Sequence, residues 1–213
     1  MYKLFFKRVI DIVLSALAIV LISPVFIPIM IILLLTGEHY IFYFQKRIGF
    51  RNKSFYIYKF VTMIKNSPNI GAGLHTTKSD PRILPIGGFL RKTKINELPQ
   101  LFNILFGSMS IVGPRPLVDK TFAPYSKKVK ENIYNVKPGL TGIGSIVFRD
   151  EEELLSKTDL PLEEFYKNEI SPYKGELELW YQNNLSLTTD FMIIFVTAIT
   201  LFFPNNNLVF KIF

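Results

Sequence analysis

The sequence has no cysteine and only two histidines, His39 and His75. Without cysteine the chain can form neither disulfides nor thiolate metal sites, and two histidines are too few for a structural zinc site. Acidic residues are missing from residues 39–79, a stretch that contains seven lysines and arginines. The composition therefore excludes a disulfide scaffold and a zinc-stabilised domain, and we interpret His75 as an ordinary loop residue.

Positive charge is in excess, with a net charge of +8 at pH 7 and a sequence pI of about 9.5. Such a balance favours anionic partners, which could be nucleic acid, anionic lipid headgroups or phosphorylated small molecules. The acidic residues are concentrated elsewhere, since residues 150–178 contain ten of the seventeen. Positive charge therefore predominates in residues 39–79 and negative charge in residues 150–178.

Hydrophobic residues make up 49% of the 213 residues, and the sequence includes twenty phenylalanines and ten tyrosines. This content is high for a basic soluble protein and indicates contact with a lipid bilayer. The length suffices for one domain, or at most two. We predict a membrane-associated element over residues 1–38 and one catalytic domain over residues 39–213.

Residues 9–35 form a nearly continuous apolar segment. As a straight helix the segment would extend about 40 Å, enough to cross a hydrocarbon core of about 30 Å. Pro24 and Pro28 each remove a helical hydrogen bond, so we expect a kink near Ser23 and Pro24. The Ser23 hydroxyl could satisfy part of the freed backbone, as hydroxyls do in broken membrane helices.

Basic residues flank both ends of this segment, so the positive-inside tendency gives no orientation for a simple span. A re-entrant helix that enters and leaves through one leaflet fits both flanks, and we favour it over an ordinary spanning anchor. Asp11 lies near the start of the segment, where a carboxylate is costly unless Lys7 or Arg8 pairs with it. The flanking residues are Lys3, Lys7 and Arg8 before the segment and Lys46, Arg47, Arg51 and Lys53 after it.

Periodicity and turn residues predict a hairpin and several helices. Aromatic runs at Tyr40–Phe44 and Phe55–Phe60 predict the two strands of a hairpin. Apolar residues at helical spacing predict an amphipathic helix over Asn96–Phe106, capped by Asn96 and ended by Gly107. Further predictions are a loop over Asn66–Ser79, helical structure over Leu160–Glu178, and a core or interfacial helix over Phe191–Phe203.

Basic residues lead into the predicted helix start at Asn96. Unpaired N–H groups and the helix dipole favour phosphate there, and Arg91, Lys92 and Lys94 add positive charge. Glu97 beside this site needs a positive partner, which a Mg²⁺ ion bridging Glu97 and a diphosphate would supply. The alternative is that Glu97 only complements the helix dipole and that Asn96 only caps the helix.

Arg115 lies between Pro114 and Pro116, which restrict the backbone on both sides. Such an arrangement suits a guanidinium held still for bidentate phosphate binding. The alternative is a rigid surface turn with a solvated arginine. Asp80 and Arg82 allow a similar choice, because Asp80-Pro-Arg82 could be an Asx-type turn and no more.

Nine short motifs occur in one order along the chain: Lys7-Arg8-x-x-Asp11, Ser23-Pro24, Gln45-x-Arg47-x-Gly49, Tyr58-Lys59-Phe60-x-Thr62-Met63, Asp80-Pro81-Arg82, Arg91-Lys92-Thr93, Glu97-Leu98-Pro99-Gln100, Gly113-Pro114-Arg115-Pro116 and Pro138-Gly139-Leu140-Thr141-Gly142. On these motifs the chain resembles the bacterial sugar transferase family, the small monotopic polyprenyl-phosphate phosphoglycosyl transferases. The resemblance extends from Lys7 to about Phe203, and the number of motifs in one order makes it specific.

The resemblance implies a re-entrant membrane helix kinked at Ser23 and Pro24, and a compact α/β domain on the cytoplasmic face of the bacterial inner membrane. That domain would be α-rich, with a small sheet and interfacial helices. It implies Mg²⁺-dependent transfer of a sugar 1-phosphate from a UDP-sugar to undecaprenyl phosphate, with release of UMP, which initiates assembly of a surface polysaccharide or glycan. Membrane lipids are the further partner, and the oligomeric state stays open. The implied catalytic residues are Asn96, Glu97, Arg91 and Arg115, with Glu97 also at the metal, and the implied substrate contacts are Lys59, Asp80, Arg82, Lys92 and Gly113.

Two positions depart from the family pattern. In the family an adjacent Asp-Glu pair is catalytic, and the aspartate attacks the diphosphate to give a phosphosugar-enzyme intermediate. Glu97 matches the glutamate, but Asn96 stands in place of the aspartate, and a neutral carboxamide is a weak nucleophile. At the second position, Val61 stands where the family usually has arginine after Tyr-Lys-Phe, which removes one candidate phosphate contact.

Three explanations of Asn96 compete. The first is a one-step transfer positioned by Mg²⁺, Glu97, Arg91 and Arg115, and the second is use of Glu97 as the nucleophile. The third is a catalytically silent relative that binds a nucleotide sugar or a lipid phosphate. We favour an active enzyme. Nucleic-acid binding through residues 39–79 would leave the apolar segment and the phosphate motifs unexplained, so we expect no nucleic-acid partner.

Overall fold

The computed structural model describes residues 2–70, 80–156 and 158–203 of the chain. The fold is rich in helices and contains two small sheets. The predicted loop at Asn66–Ser79 is described only to residue 70, and His75 lies outside the described residues. The elements in chain order are α1 (Lys7–Leu35), β1 (Phe42–Ile48), β2 (Ser54–Phe60), α2 (Gly87–Lys92), α3 (Gln100–Phe106), β3 (Ser110–Val112), α4 (Asp119–Phe122), α5 (Lys127–Asn132), β4 (Gly139–Thr141), α6 (Ile143–Val147), α7 (Glu151–Ser156), α8 (Leu162–Phe165), α9 (Ser171–Asn183) and α10 (Leu187–Phe202).

Helix α1 remains helical through both of its prolines. Pro24 has no N–H to donate to the carbonyl of Val20, and the Ser23 hydroxyl donates to that carbonyl instead at 2.7 Å. The expected role of the Ser23 hydroxyl is therefore confirmed. The helix is long and apolar enough to cross a membrane by length and composition, and the predicted re-entrant kink stays a prediction.

One face of α1 packs against the rest of the chain along nearly its whole length. At its N-terminal end Lys7 pairs with Asp190 of α10, and at its C-terminal end Leu33 is 1% exposed and packs in a cluster with Phe60 and Leu90. The opposite face is apolar and exposed. Its exposed residues include Val13, Leu17, Val20, Leu21, Ile27 and Ile31.

The predicted pairing of Asp11 with Lys7 or Arg8 is wrong. The Asp11 carboxylate accepts hydrogen bonds from the Ser110 hydroxyl at 3.1 Å and from the Ile111 N–H at 2.9 Å, at strand β3. Lys7 is engaged by Asp190, and Arg8 donates to two carbonyls at the end of α3. The three polar residues therefore attach α1 to three different elements, because partners in the tertiary structure replace the neighbours available within the helix.

Strands β1 and β2 form the predicted antiparallel hairpin, with Gln45 opposite Ile57. The predicted first strand, Tyr40–Phe44, was misplaced: β1 begins at Phe42 and continues to Ile48. Polar residues extend the strand because a hairpin with one solvated face tolerates them. The register places Tyr43 opposite Lys59 and Gln45 opposite Ile57, so Arg47, two residues after Gln45, shares a face of the hairpin with Lys59.

The edge of β2 is covered by a side chain of α3. The Tyr58 N–H donates to Asn103 Oδ1 at 2.9 Å, and Asn103 Nδ2 donates to the Tyr56 carbonyl at 2.8 Å. A side-chain amide thus replaces the next strand of the sheet. Ile57, which lies between Tyr56 and Tyr58, packs with Ile104 of α3 in one hydrophobic cluster. The hairpin and α3 therefore share a core.

The predicted helix Asn96–Phe106 begins later than expected. Residues Ile95–Glu97 form a 3₁₀ turn, and α3 starts at Gln100 after Pro99, which has no N–H and cannot continue the hydrogen bonding of the turn. Asn96 therefore does not cap the helix, and that prediction is wrong. The predicted end is confirmed, since Gly107 has φ 90°.

The C-terminal half forms the second core. Parallel strands β3 and β4 pair Ser110 with Gly139 and Val112 with Thr141. The helical structure predicted over Leu160–Glu178 is present as α8, a π-turn and α9. The last predicted helix begins at Leu187, because Ser186 caps it by accepting from the Thr189 N–H at 3.1 Å.

Candidate active site

An ion pair joins the 3₁₀ turn to the hairpin. Lys59 Nζ lies 3.1 Å from Glu97 Oε1, and the two side chains are 16% and 25% exposed. Lys59 is the last residue but one of β2, and Glu97 is the last residue of the turn. The pair is therefore partly screened from water and still accessible to a ligand.

Further cations surround Glu97. Burial alone would raise the pKa of Glu97, but attraction by Lys59 and Arg115 outweighs it and lowers the pKa to about 2. Burial lowers the pKa of Arg47 to about 10, and repulsion by Arg115 acts in the same direction. Burial likewise lowers the pKa of Lys59, where Arg115 and Arg47 oppose the stabilising charge of Glu97. These four residues, called the cation cluster below, carry three positive charges and one negative charge.

Two buried polar atoms at this site have no hydrogen-bond partner within the described part of the chain, Arg47 Nε and Asn96 Oδ1. Asn96 is only 7% exposed. An unmet donor, an unmet acceptor and an excess of positive charge are costly in the interior unless a ligand compensates them. The positive charge and the unmet Arg47 donor suit an anion with several oxygens, whereas the Asn96 oxygen needs a hydrogen-bond donor.

The backbone that carries Arg115 is held by several hydrogen bonds. The Gly113 N–H donates to the Thr141 carbonyl, and the Leu117 N–H donates to the Tyr134 hydroxyl. Four carbonyls of the same segment also accept. Their donors are the Gly139 N–H to Pro114, the Tyr134 hydroxyl to Arg115, Arg47 Nη1 to Pro116 and the Ile48 N–H to Leu117.

Arg115 is thus an exposed side chain on a fixed backbone. These bonds form a rigid turn with an exposed arginine, so they agree equally with the alternative of a rigid surface turn with a solvated arginine, and phosphate binding by Arg115 stays a prediction. The two prolines contribute as expected, since neither has an N–H that would need a partner. Arg115 lowers the pKa of Glu97, which places the two predicted site residues in one electrostatic environment.

Gly113 has a structural reason for being glycine. A Cβ at this position would lie 2.3 Å from the Lys137 carbonyl oxygen, and a Cβ at Gly139 would lie 2.1 Å from the Gly113 nitrogen. The two backbone segments cross too closely for any side chain. Gly113 therefore brings the Arg115 segment against β4, and its predicted substrate contact stays a prediction.

Asp80 and Arg82 form a buried clamp. Arg82 Nε and Nη2 donate to the two oxygens of Asp80 at 2.8 and 2.6 Å, while Nη1 donates to the carbonyls of Ser67 and Ile70, both at 2.7 Å. The Arg82 N–H also donates to Asp80, which is the Asx-type turn considered from the sequence. These contacts join two loops, and a substrate contact by either residue stays a prediction.

Arg91 and Lys92 occupy the last turn of α2, where Arg91 is half-buried and Lys92 is exposed. Lys94 follows with φ 60°, and its charge contributes to lowering the pKa of Glu97. The Glu97 N–H donates to the Lys94 carbonyl at 3.0 Å. The Glu97 N–H is therefore not free to bind phosphate, and the prediction is wrong for this amide. The positive charge around Glu97 comes from side chains.

Sequence reasoning missed Arg47 and Glu178 as parts of this site. Arg47 stood in a quoted motif, and the hairpin register, once known, would have placed it on the face of Lys59. Glu178 gave no signal, because it belongs to an acidic stretch that resembles a solvated surface. It is 2% exposed, and burial raises its pKa to about 7.

The donor set at Glu97 can be compared with what Mg²⁺ requires. Among the described residues no group of three or more histidine, cysteine or acidic side chains converges on one point. Mg²⁺ often takes one or two carboxylates and completes its octahedron with substrate phosphates and water. Glu97 is ionised and has a second oxygen beyond the one bonded to Lys59, so it fits an ion that binds together with a diphosphate.

The described residues combine a cluster of cations around an ionised carboxylate with a long helix whose exposed face is apolar, which suits a membrane-associated protein that acts on a phosphorylated anion. The sequence profile of the bacterial sugar transferase family matches residues 2–204. The chain belongs to this family.

Several characterised proteins are similar to the chain. A UDP-glucose:undecaprenyl-phosphate glucose-1-phosphate transferase of Klebsiella pneumoniae is 34% identical over 198 residues, which cover 91% of this chain and 39% of that protein. An undecaprenyl-phosphate galactose phosphotransferase of Salmonella typhimurium is 33% identical over 91% of this chain and 40% of its own length. The exopolysaccharide production protein ExoY of Sinorhizobium fredii is 32% identical over 90% of this chain and 83% of its own length.

The chain thus spans about two fifths of the length of the first two relatives. It covers most of the length of the third. Activity and substrates of the longer relatives therefore enter here only as support for a proposal.

Proposed function

We propose that this protein transfers a sugar 1-phosphate from a UDP-sugar to undecaprenyl phosphate and releases UMP, as the initiating step of a surface polysaccharide or glycan. The observation that carries the proposal is the cation cluster: Arg47, Lys59 and Arg115 around the ionised carboxylate of Glu97. The names of the similar proteins describe transfers of this kind. A diphosphate would supply the negative charge that the cluster lacks.

The reaction needs little covalent chemistry from the protein. An oxygen of undecaprenyl phosphate forms a bond to the β-phosphorus of the UDP-sugar, and the bond from that phosphorus to the bridging oxygen breaks. UMP leaves with the electron pair of that oxygen. Arg115 and Lys59 are placed to stabilise charge on the phosphoryl oxygens, and phosphoryl transfer depends mainly on such positioning and charge stabilisation.

Asn96 sits beside this chemistry as a neutral side chain. Its buried oxygen has no partner among the described residues and does not cap α3. We propose that the wild-type chain uses the one-step route, with Asn96 as a contact and Glu97 as the ionised group. Glu97 as nucleophile would have to leave its ion pair with Lys59.

We also propose Mg²⁺ as the cofactor, held by Glu97 together with the diphosphate. When bound, the ion would neutralise charge on the phosphates. Glu97 is suited to this role because its low pKa keeps it ionised at any physiological pH.

The protein is further proposed to be monotopic, on the cytoplasmic face of the inner membrane. Both ends of α1, about 40 Å apart, are attached to the same domain: Lys7 to Asp190, and Leu33 to the cluster with Phe60. A helix that crossed the bilayer would carry one end away from a domain on one face. Helix α10 also exposes apolar residues, which include Phe191, Phe195 and Phe202. Such residues suit a helix that lies at the membrane interface.

Release of UMP by purified full-length protein in nanodiscs tests the proposal. The substrates are undecaprenyl phosphate and a panel of UDP-sugars, with and without Mg²⁺. Wild type is expected to release UMP from at least one UDP-sugar, and Glu97→Gln is expected to lose most of this activity. If only Asn96→Asp gives product, the wild-type chain is a silent relative and the proposed activity is wrong.

A further inference from the structure

The backbone of Arg115 is held by the buried side chain of Tyr134 and acts on a second buried side chain, Glu178 of α9. Its carbonyl accepts from the hydroxyl of Tyr134 at 2.8 Å, and its N–H acts to lower the pKa of Glu178. Glu178 is 2% exposed and Tyr134 is 1% exposed. The side chain of Arg115, in contrast, is exposed.

The chain makes room for this arrangement at a cost. A Cβ at Gly144 would lie 2.4 Å from Glu178 Oε1, so any other residue at this position of α6 would require the carboxylate to move. The second oxygen, Oε2, is buried without a hydrogen-bond partner in the described part of the chain. A buried carboxylate with an oxygen that lacks a hydrogen-bond partner destabilises the fold, so stability alone does not explain its presence.

Tyr134 has a double role. Its hydroxyl donates to the Arg115 carbonyl and accepts from the Leu117 N–H at 3.0 Å. One phenol therefore fixes the residues on both sides of Pro116. Together with Glu178 it removes the freedom of the peptide groups from which the Arg115 side chain projects.

We propose that Glu178 and Tyr134 are positioning residues that act through Arg115, by fixing the backbone from which its guanidinium reaches the phosphates. The inference rests on the proposed transfer reaction. A side chain as long as arginine samples many rotamers, and a misplacement of about 1 Å at a reacting group can reduce the rate about a hundredfold. A fixed backbone limits that loss.

A double-mutant cycle on UMP release and on equilibrium UDP binding tests the inference. Glu178→Leu removes the carboxyl group on which the Arg115 N–H acts, and Tyr134→Phe removes both hydrogen bonds of the phenol. In the wild-type background each is expected to lower kcat/KM about tenfold, with kcat affected more than KM. In an Arg115→Ala background each is expected to have less than about a twofold further effect.

Two matched variants separate positioning from folding. Tyr181→Phe removes a buried phenol that bonds to Lys7, to Asp190 and to the Val112 carbonyl. Among the described residues it forms no hydrogen bond with Arg115, so its loss should leave kcat/KM within about twofold. Glu178→Gln retains an oxygen that can accept from the Arg115 N–H, and it should restore most of the activity lost in Glu178→Leu. Thermal unfolding of every variant in nanodiscs accompanies the kinetics.

The failures are distinguishable. If wild type neither binds UDP nor releases UMP, the proposed function is wrong. If wild type does both, but Glu178→Leu or Tyr134→Phe costs as much with Arg115→Ala as without it, the positioning role is wrong. Equal losses in Tyr181→Phe and Tyr134→Phe would contradict it as well, because the effect would then be a general loss of stability.

Discussion

At the scale of single residues, charge and burial decide which side chains can act. Glu97 is ionised because cations surround it, whereas at Glu178 burial raises the pKa by more than the Arg115 backbone and Lys174 lower it. The two glutamates therefore have opposite pKa shifts, to about 2 and to about 7. One serves as a permanent anion in the cation cluster, and the other is a buried carboxyl group.

These shifts give opposite contributions to stability. In the unfolded chain Glu178 ionises near its ordinary pKa of 4.5, but in the folded chain it ionises near 7. Between these values the folded chain retains a proton that the unfolded chain has released, so stability falls as pH rises. The loss is on the order of 3 kcal/mol above pH 7.

Glu178→Gln should therefore gain stability relative to wild type between pH 5 and pH 8. Thermal unfolding in nanodiscs at both pH values measures the change, and the Tm difference between variant and wild type should increase with pH. Glu97→Gln is the control, because the contribution of Glu97 is fully present above the unfolded pKa and is lost only as pH falls toward about 2. A Tm difference for Glu178→Gln that does not change with pH would contradict the assignment.

At the scale of elements, the sequence predicted the existence of helices and strands better than it predicted their boundaries. Aromatic residues revealed the hairpin, and Gly107 marked the end of α3. The beginning of α3 could not be predicted from Asn96, because the missing N–H of Pro99 separates the 3₁₀ turn from the helix. The partners of Asp11 also escaped prediction, since they lie at β3, about a hundred residues away.

The candidate site was also predicted only in part, because some of its residues are brought together by contacts that are distant in sequence. Glu97, Arg115 and Lys59 were named from motifs, and the structure brings their charges together. Arg47 could be placed only once the register of β1 and β2 was known. Glu178 could not be separated from the acidic surface residues around it, because burial leaves no local mark in sequence.

The crossing of β3 and β4 yields a prediction for Gly113. Gly113→Ala should destabilise the protein by about 1–3 kcal/mol, because the new methyl group would overlap the Lys137 carbonyl. Gly88→Ala on α2 is the matched control, since its Cβ would meet no atom nearer than 4.0 Å and alanine favours a helix. Thermal unfolding of both variants measures the difference. Equal stability of the two would show that the close approach is misjudged.

At the scale of the whole molecule, the attachment of both ends of α1 to one domain predicts the topology. The chain has no cysteine, so single cysteines introduce unique labels. We expect Lys3→Cys and Glu38→Cys to react with a membrane-impermeant maleimide from the cytoplasmic side, as Asp119→Cys in the domain should. The measurement uses inverted and right-side-out membrane vesicles.

The two flanks give the decisive comparison in that experiment. If Lys3→Cys is labelled from the periplasmic side while Glu38→Cys is labelled from the cytoplasmic side, α1 spans the bilayer and the monotopic proposal is wrong. Asp119→Cys controls for vesicle orientation, because it lies on the exposed surface of α4.

The central claim is that Arg47, Lys59 and Arg115 around Glu97 bind a diphosphate, and equilibrium binding of UDP and uridine to the protein in nanodiscs tests it most directly. Wild type should bind UDP, with an affinity that falls as salt increases, and should bind uridine far more weakly. Arg115→Ala should weaken UDP binding about tenfold or more, as expected for a lost charge-assisted hydrogen bond. Equal affinity of wild type for UDP and uridine, or an unchanged UDP affinity in Arg115→Ala, would contradict the claim.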